Sequence, residues 1–205
     1  MAALRHDEVD EPEEITRVGP SGPCVAVRST MILASLKALR RRGCLERYLS
    51  LIDPGARDPL LALAAPVWVP IALAEAHYAA CDALALKTAE MLSIGSDVAR
   101  IDASGAHVLI GLARAGGADV WSLLDRLPAN WRRMYQGGTF RTIKAGPKEA
   151  KVQVEGNRLA RFSYWRMGLR GIGEGLFGHF CARVYIRDTT DPRTDESASY
   201  VISWA

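Results

Sequence analysis

Residues 171–180 read GIGEGLFGHF, and the glycines in this stretch decide between two folds. Gly173, Gly175 and Gly178 have the G-x-G-x-x-G spacing of a dinucleotide-binding fingerprint. That fingerprint binds a pyrophosphate only where a parallel strand runs into a tight turn at the N-terminus of the next helix. The elements on either side of the stretch therefore determine what it means.

The flanking sequence argues against a dinucleotide-binding fold. A helical pattern is already established at residues 164–170, so no strand immediately precedes Gly173. Only 27 residues follow Gly178, too few for the further parallel strands and crossovers of that fold. Asp195 and Glu196 lie in a hairpin-type loop and not at the end of a parallel strand. We therefore predict that the stretch is part of a Gly-rich helix.

The first half of the chain predicts a block of helices. A helix that begins at Ser29 or Thr30 carries its apolar side chains on one face and ends near Gly43. Pro70 suits the first turn of a long helix because its missing N–H has no intrahelical partner there. Further helical patterns cover residues 45–52, 58–65, 67–92, 96–116 and 118–135.

The second half changes to a strand pattern. Residues 139–156 alternate in polarity on both sides of Ala145-Gly146-Pro147, which predicts a hairpin. Two further alternating runs, 182–188 and 197–204, follow the Gly-rich helix at 157–181. The predicted fold class is α+β: an N-terminal helical block followed by β-β-α-β-β, with the strands in one four-stranded antiparallel sheet.

The ends of the pattern predict the domain organisation. Residues 1–22 are acidic and contain few apolar side chains, so we predict a disordered tail there. Residues 23–205 form a single α+β domain. The short segment 24–29, CVAVRS, is β-prone and either pairs at a sheet edge or leads into a helix.

Composition excludes several classes of protein. A net charge of +3 without a basic stripe argues against a nucleic-acid partner. The N-terminus has no apolar signal region and no uncharged apolar run is long enough to span a bilayer, so we predict a cytoplasmic protein without a membrane span. Neither histidines nor cysteines have metal-ligand spacing, so no metal site is predicted; the cysteines are Cys24, Cys44, Cys81 and Cys181.

The chain carries no recognisable catalytic motif. It has no G-x-S-x-G elbow, no P-loop and no paired-carboxylate signature, so we predict no catalytic residue and no enzyme activity. His77 is the histidine that would ligate haem or act as a base, but a hydrogen-bonded or surface role is the favoured interpretation. Glu174 stands alone among glycines, where it faces either a cavity or solvent.

Five residues form the predicted ligand-binding set. Trp131, Tyr135 and Trp165 lie near the change from helices to strands, where aromatic side chains serve as core or line an apolar pocket. Gly171 and Gly175 belong to a helix whose glycines each cost up to about 1 kcal/mol relative to alanine. The missing side chains must therefore bring a gain that offsets this cost. They either allow close packing on the sheet or leave room for a ligand or a partner helix.

The order of four segments resembles a bacterial family of about this length that is abundant in myxobacteria. The segments are MILASLKALRRRG (31–43), APVWVPIALAEAHYAACDAL (65–84), LLDRLPANWRRMYQGGTFRTIKAG (123–146) and SYVISW (199–204). A helical block followed by β-β-α-β-β also resembles a superfamily of haem-nitric-oxide-binding (H-NOX) domains, 4-vinyl reductase domains and small subunits of the TRAPP vesicle-tethering complex. The resemblance implies a fold that binds a ligand or a partner.

The chain departs from each branch at its cofactor motif. The Tyr-x-Ser-x-Arg motif that holds the haem propionates in H-NOX domains is absent, and the clustered cysteines of the 4-vinyl reductase branch are replaced by the solitary Cys181. Neither cofactor is therefore transferred, and no cofactor is predicted.

Two functions remain as hypotheses. The first is a non-enzymatic sensory or regulatory domain that binds a small apolar ligand between the helices and the sheet. The second is a protein-interaction module that resembles a TRAPP subunit and pairs as a homodimer or with a related subunit. This second hypothesis assumes that the helices at 30–42 and 70–92 pack together and expose an apolar face.

Overall fold

A computed structural model of the chain describes residues 13–18, 22–101, 116–189 and 194–205. The helices are α1 (Ser29–Arg41), α2 (Leu45–Leu51), α3 (Pro54–Leu61), α4 (Ile71–Ala83), α5 (Thr88–Ile101), α6 (Val120–Leu124), α7 (Leu127–Met134) and α8 (Ser163–Phe177). The strands are β1 (Glu13–Val18), β2 (Ala26–Arg28), β3 (Trp68–Pro70), β4 (Tyr135–Gln136), β5 (Thr139–Gly146), β6 (Glu149–Glu155), β7 (Val184–Thr189) and β8 (Ala198–Trp204). A 3-10 helix covers Arg158–Arg161.

The main sheet confirms the predicted fold class. Its strand order is β1-β5-β6-β8-β7 and all neighbours are antiparallel, with α8 connecting the β5–β6 hairpin to the β7–β8 hairpin. The order after the helical block is therefore β-β-α-β-β. Because side chains alternate along a strand, residues such as Phe140, Val152, Tyr200 and Ile202 share one face of this sheet.

The N-terminal segment corrects one prediction. We expected residues 1–22 to be a disordered tail, but Glu13–Val18 forms strand β1 and pairs with β5, with Arg17 opposite Arg141. For residues 1–12 and 19–21, which lie outside the described residues, the expectation stays a prediction. The β5 edge that faces away from β6 carries unpaired backbone groups, which a further strand satisfies. A polar segment can fill this role because the pairing uses only backbone atoms.

A small second sheet corrects the predicted helix at 67–92. Its order is β3-β2-β4, so the β-prone segment at 24–29 is a strand, as is Trp68–Pro70. The β-branched Val67 and Val69 favour an extended backbone, and α4 begins only after Pro70. Ala85, at a φ of 51°, breaks the remaining helix into α4 and α5.

Helix α3 starts earlier than the sequence pattern predicts. We expected a stop at Asp53-Pro54-Gly55 and a new helix at 58–65, but α3 spans Pro54–Leu61. The Asp53 carboxylate accepts a hydrogen bond from the Gly55 N–H, and Pro54 occupies the first helical position, where its missing donor costs nothing. The tripeptide is thus a helix start.

The Gly-rich helix α8 packs mainly against α5. A Cβ added to Gly171 would lie 2.9 Å from the Leu92 carbonyl carbon and closer still to its oxygen. A Cβ added to Gly95 would meet the backbone of Gly168 in the same way. The sequence left open whether these glycines serve packing on the sheet or room for a ligand or a partner helix. At Gly95 and Gly171 the neighbour is a helix of the same chain, because the absence of side chains lets the two helix backbones approach each other.

The predicted helix at 96–116 is described only as far as Ile101, where α5 ends. The remainder of that prediction lies outside the described residues. In the described part of the chain, no helix is both long and apolar enough to span a bilayer.

Candidate functional site

A cavity of about 440 Å³ lies between one face of the main sheet and helices α7 and α8. This volume is within the range of small-molecule binding sites. The ends of α1 and α5 complete the wall through Met31, Val98 and Ala99. The other lining residues are Leu127, Asn130, Trp131, Met134, Tyr135, Phe140, Val152, Val154, Leu169, Arg170, Ile172, Gly173, Leu176, Phe177, Ile186, Tyr200 and Ile202.

The wall of the cavity is apolar apart from a few polar groups. Among the lining residues, only Asn130 and Arg170 carry an amide or a charge. Asn130 is exposed and Arg170 is partly exposed, whereas Tyr200 and Ile202 on the sheet are buried. The two polar lining residues are therefore accessible to solvent, whereas these sheet residues of the wall are not.

The structure brings the three predicted aromatic residues together. Trp131 stacks on Tyr135 with ring centroids 4.0 Å apart, and Trp165 Nε1 donates a hydrogen bond of 3.2 Å to the Tyr135 hydroxyl. Phe140 packs beside Trp131, with their ring centroids 5.4 Å apart. Trp131, Tyr135 and Phe140 line the cavity, while Trp165 lies behind Tyr135 and orients it. Burial raises the pKa of the Tyr135 phenol, so this wall stays neutral.

Trp131 also presents an unused hydrogen-bond donor. Its side chain is 6% exposed, and its Nε1 has no hydrogen-bond partner within the described residues. A buried N–H without a partner costs about 1–3 kcal/mol. Because this atom has almost no accessible surface, the indole ring contributes to the cavity wall while its N–H does not border the open space.

The two predicted ligand-binding glycines do not line the cavity. Gly171 contacts the backbone of α5, and a Cβ on Gly175 would lie 3.1 Å from Ser96 Oγ and 3.4 Å from Ala99 Cβ. Gly173 is the glycine of this helix that lines the cavity, and a Cβ there would lie 2.7 Å from Ile186 Cδ1. The helix thus uses two faces: one lies against α5 and the other against the cavity.

His77 lies in a buried hydrogen-bonded chain and not in the cavity wall. Its Nδ1 is 2.8 Å from the Tyr48 hydroxyl and its Nε2 is 3.1 Å from Ser35 Oγ, which is itself 2.8 Å from the Tyr164 hydroxyl. The imidazole is fully buried, and this lowers its pKa to about 3. His77 is therefore neutral and fully hydrogen-bonded, as the favoured interpretation expected.

A small second pocket of about 30 Å³ connects this chain to the cavity region. Ser35 and Tyr164 line it, and it shares Met31, Val98 and Leu169 with the main cavity wall. Its volume is enough for one water molecule beside the two hydroxyl groups.

The helix faces proposed for dimer formation are largely covered within the monomer. On α4, the side chains of Ala74, Tyr78 and Cys81 are buried, and on α1 those of Ile32 and Leu39 are buried. The apolar face on which the interaction hypothesis depended is thus used inside the domain. Homodimer formation stays a prediction.

Most of the cavity wall carries no signal in the sequence that identifies it as part of a site. The sheet residues were visible as alternating strands, but nothing indicated which face would meet a helix. Arg170, Asn130 and Gly173 were not predicted, although Leu169, Ile172, Gly173 and Leu176 have the i, i+3, i+4, i+7 spacing of one helix face. That spacing is a signal that could have identified the α8 side of the cavity.

Comparison with known proteins supports the H-NOX part of the resemblance at the level of the fold. An unliganded Fe(II) H-NOX protein from K. algicida aligns over 87% of this chain and 96% of its own, with a TM-score of 0.59 and 8% identity. A point mutant of that H-NOX protein aligns over the same shares of the two chains, with a TM-score of 0.60 and 9% sequence identity. A third solved structure comes from work on modulating haem redox potential through protein-induced porphyrin distortion. It aligns over 86% of this chain and 99% of its own, with a TM-score of 0.52 and 9% sequence identity.

Neither a protein-family model nor a curated protein matches the sequence. The 4-vinyl reductase and TRAPP parts of the resemblance stay predictions. At 8–9% identity, what the structural likeness establishes is the architecture: the chain has the fold of H-NOX domains.

Proposed function

We propose that the protein is a non-enzymatic sensory or regulatory domain that binds a small apolar ligand in the cavity between α7, α8 and the main sheet. The observation that carries this proposal is the cavity itself. It has the volume of a ligand site, its wall is almost entirely apolar, and some of its lining residues are exposed to solvent. The solved neighbours with this fold include H-NOX proteins, which is consistent with ligand binding.

The described part of the cavity does not fit haem. No histidine or cysteine belongs to its lining, and His77 has both ring nitrogens engaged by Tyr48 and Ser35. The two lining phenols, Tyr135 and Tyr200, are kept neutral because burial raises their pKa. The described residues also contain no cluster of three metal-ligating side chains. His107 lies outside the described residues. We therefore derive no role for a haem group.

Haem supplementation is expected to leave the protein colourless. Protein expressed with added haem precursor and purified should show no Soret band, because the described wall supplies no axial imidazole or thiolate. Absorption spectroscopy measures this, with zinc content checked by elemental analysis. A Soret band at stoichiometric intensity would contradict the prediction, and a His107→Ala variant would then test the remaining ligand candidate.

Filling the cavity is expected to abolish binding of a neutral apolar dye. Nile red should bind the wild-type chain and gain fluorescence, whereas Ile202→Trp should lose at least about tenfold in affinity because the larger side chain occupies the site. Ile202 lines the cavity and Val201, the next residue on β8, points to the other face of the sheet. Val201→Trp is therefore the matched control and should bind like wild type.

Thermal melting of both variants confirms that they fold. The proposal fails if the wild-type chain takes up no Nile red, or if Ile202→Trp and Val201→Trp bind it equally well. Sedimentation of the wild-type chain in the same buffer tests the interaction hypothesis. A stable dimer with no dye uptake would favour the protein-interaction module instead.

A further inference from the structure

The charge that the described cavity lining offers to a ligand is positive. Arg170 is the charged residue in the described lining, and the other polar residue there, Asn130, is neutral. The Arg170 side chain is 29% exposed, so it is reachable from solvent and only partly hydrated. A ligand in the cavity can therefore contact the guanidinium group from inside the wall.

Arg170 is held in place but not fully used. Its Nε donates to Glu174 Oε1 at 2.9 Å, one helical turn further along α8. This contact fixes the plane of the guanidinium group and leaves its two Nη groups as donors for another acceptor. Burial and the Asp188 carboxylate raise the pKa of Tyr200 on the cavity wall, and the positive charges of Arg166 and, more weakly, Arg170 oppose that rise.

The rest of the described wall is apolar and supplies no second charge. Phe140, Val152 and Ile202 line it from the sheet, and the ring of Trp131 lines it from α7. An alkyl chain would fit this part of the cavity without leaving a polar group of its own unpaired, whereas an anionic group would pair with Arg170.

We propose that the ligand is an anionic amphiphile, a carboxylate with an apolar chain, whose chain fills the cavity and whose head group binds Arg170. This inference rests on the proposed function and adds the class of ligand. A carboxylate matches the donor geometry of a guanidinium group, and an alkyl chain matches the aliphatic and aromatic wall. A cationic head of the same chain length would be repelled by Arg170.

Three ligands with the same 12-carbon chain test the head group. Dodecanoate, dodecanol and dodecyltrimethylammonium are compared by displacement of Nile red from the full chain. We expect dodecanoate to bind about tenfold more tightly than dodecanol, and the cation to bind more weakly than either. The preference is modest because Glu174 already neutralises part of the Arg170 charge.

Substitution of Arg170 tests the residue. Arg170→Gln should lower dodecanoate affinity about tenfold and leave dodecanol affinity unchanged. Arg187→Gln removes the same charge from β7, next to the cavity residue Ile186, but its side chain is exposed and on the opposite face of the strand. It should keep the wild-type preference. Melting curves verify that both variants fold.

The outcomes separate this inference from the proposed function. If all three ligands displace Nile red equally, the cavity binds apolar chains and the carboxylate proposal is overturned. The same holds if Arg170→Gln retains the preference for dodecanoate. If none of the three binds and Nile red is not taken up, the proposed function fails with it.

Discussion

Replacing Gly171 by alanine is expected to lower the free energy of unfolding by about 3 kcal/mol, the upper part of the range for overpacked contacts. The added Cβ would meet the Leu92 carbonyl group and the Cα of Gly95, which lies 3.1 Å away. Both are backbone atoms, so no side chain can rotate away and α5 itself must shift. For a chain of this length, the melting temperature should fall by roughly 6–12 °C.

Gly168→Ala is the matched control, because it makes the same change one turn earlier in α8. A Cβ at Gly168 would have no neighbouring atom within 4 Å. The substitution should therefore be neutral or stabilise the helix by up to about 1 kcal/mol. Gly95→Ala should behave like Gly171→Ala, since it forces the same two backbones apart. Equal melting temperatures for the Gly168 and Gly171 variants would show that α5 and α8 do not approach as described.

Acidification is expected to destabilise the protein through His77. The pKa of this group is lowered from 6.5 to about 3 because the imidazole is fully buried. Above pH 6.5 both the folded and the unfolded states carry a neutral imidazole. Below it only the unfolded state gains a proton, so stability falls by about 1.4 kcal/mol per pH unit and levels off near pH 3. The full loss between pH 6.5 and pH 3 is roughly 5 kcal/mol.

Within the described part of the chain, the groups in contact with His77 are uncharged. Its neighbours are the hydroxyls of Tyr48 and Ser35, the thiol of Cys81 and the ring of Tyr78. Burial raises the pKa of Tyr48, Cys81 and Tyr78, so all stay neutral in this window.

Chemical denaturation at pH 7.5 and pH 5.5 measures the effect before most carboxylates titrate. The wild-type chain should lose about 1 kcal/mol more than His77→Gln, whose amide keeps hydrogen-bonding capacity without a proton-binding site. If both lose the same amount, His77 is not the group responsible.

The parts of the fold that could be predicted from sequence are those with local signals. The β5–β6 hairpin alternates on both sides of a turn, and β7 and β8 alternate on both sides of a polar loop. Strand β1 could not be predicted, because its pairing depends on the free backbone edge of β5 and not on its own side chains. The partner of the glycines also escaped prediction, since the approach of α5 to α8 joins segments about 75 residues apart.

The residues of the candidate site likewise include some that the sequence could predict and some that it could not. Trp131, Tyr135 and Trp165 could be selected because large aromatic residues gather where helices meet a sheet. Their separate roles depend on geometry: two line the cavity and one orients Tyr135 from behind. Arg170 resembles any solvated arginine in the sequence, and only the position of α8 over the sheet turns it toward the cavity.

The central claim is that an apolar ligand occupies the cavity between α7, α8 and the sheet, and methionine methyl NMR tests it most directly. Met31 and Met134 line the cavity, whereas Met91 and Met167 do not. When Nile red is added to protein labelled with ¹³C at the methionine methyl groups, we expect the Met31 and Met134 signals to shift and the Met91 and Met167 signals to stay in place. Shifts at Met91 or Met167 alone, or no shift at any of the four, would contradict the account.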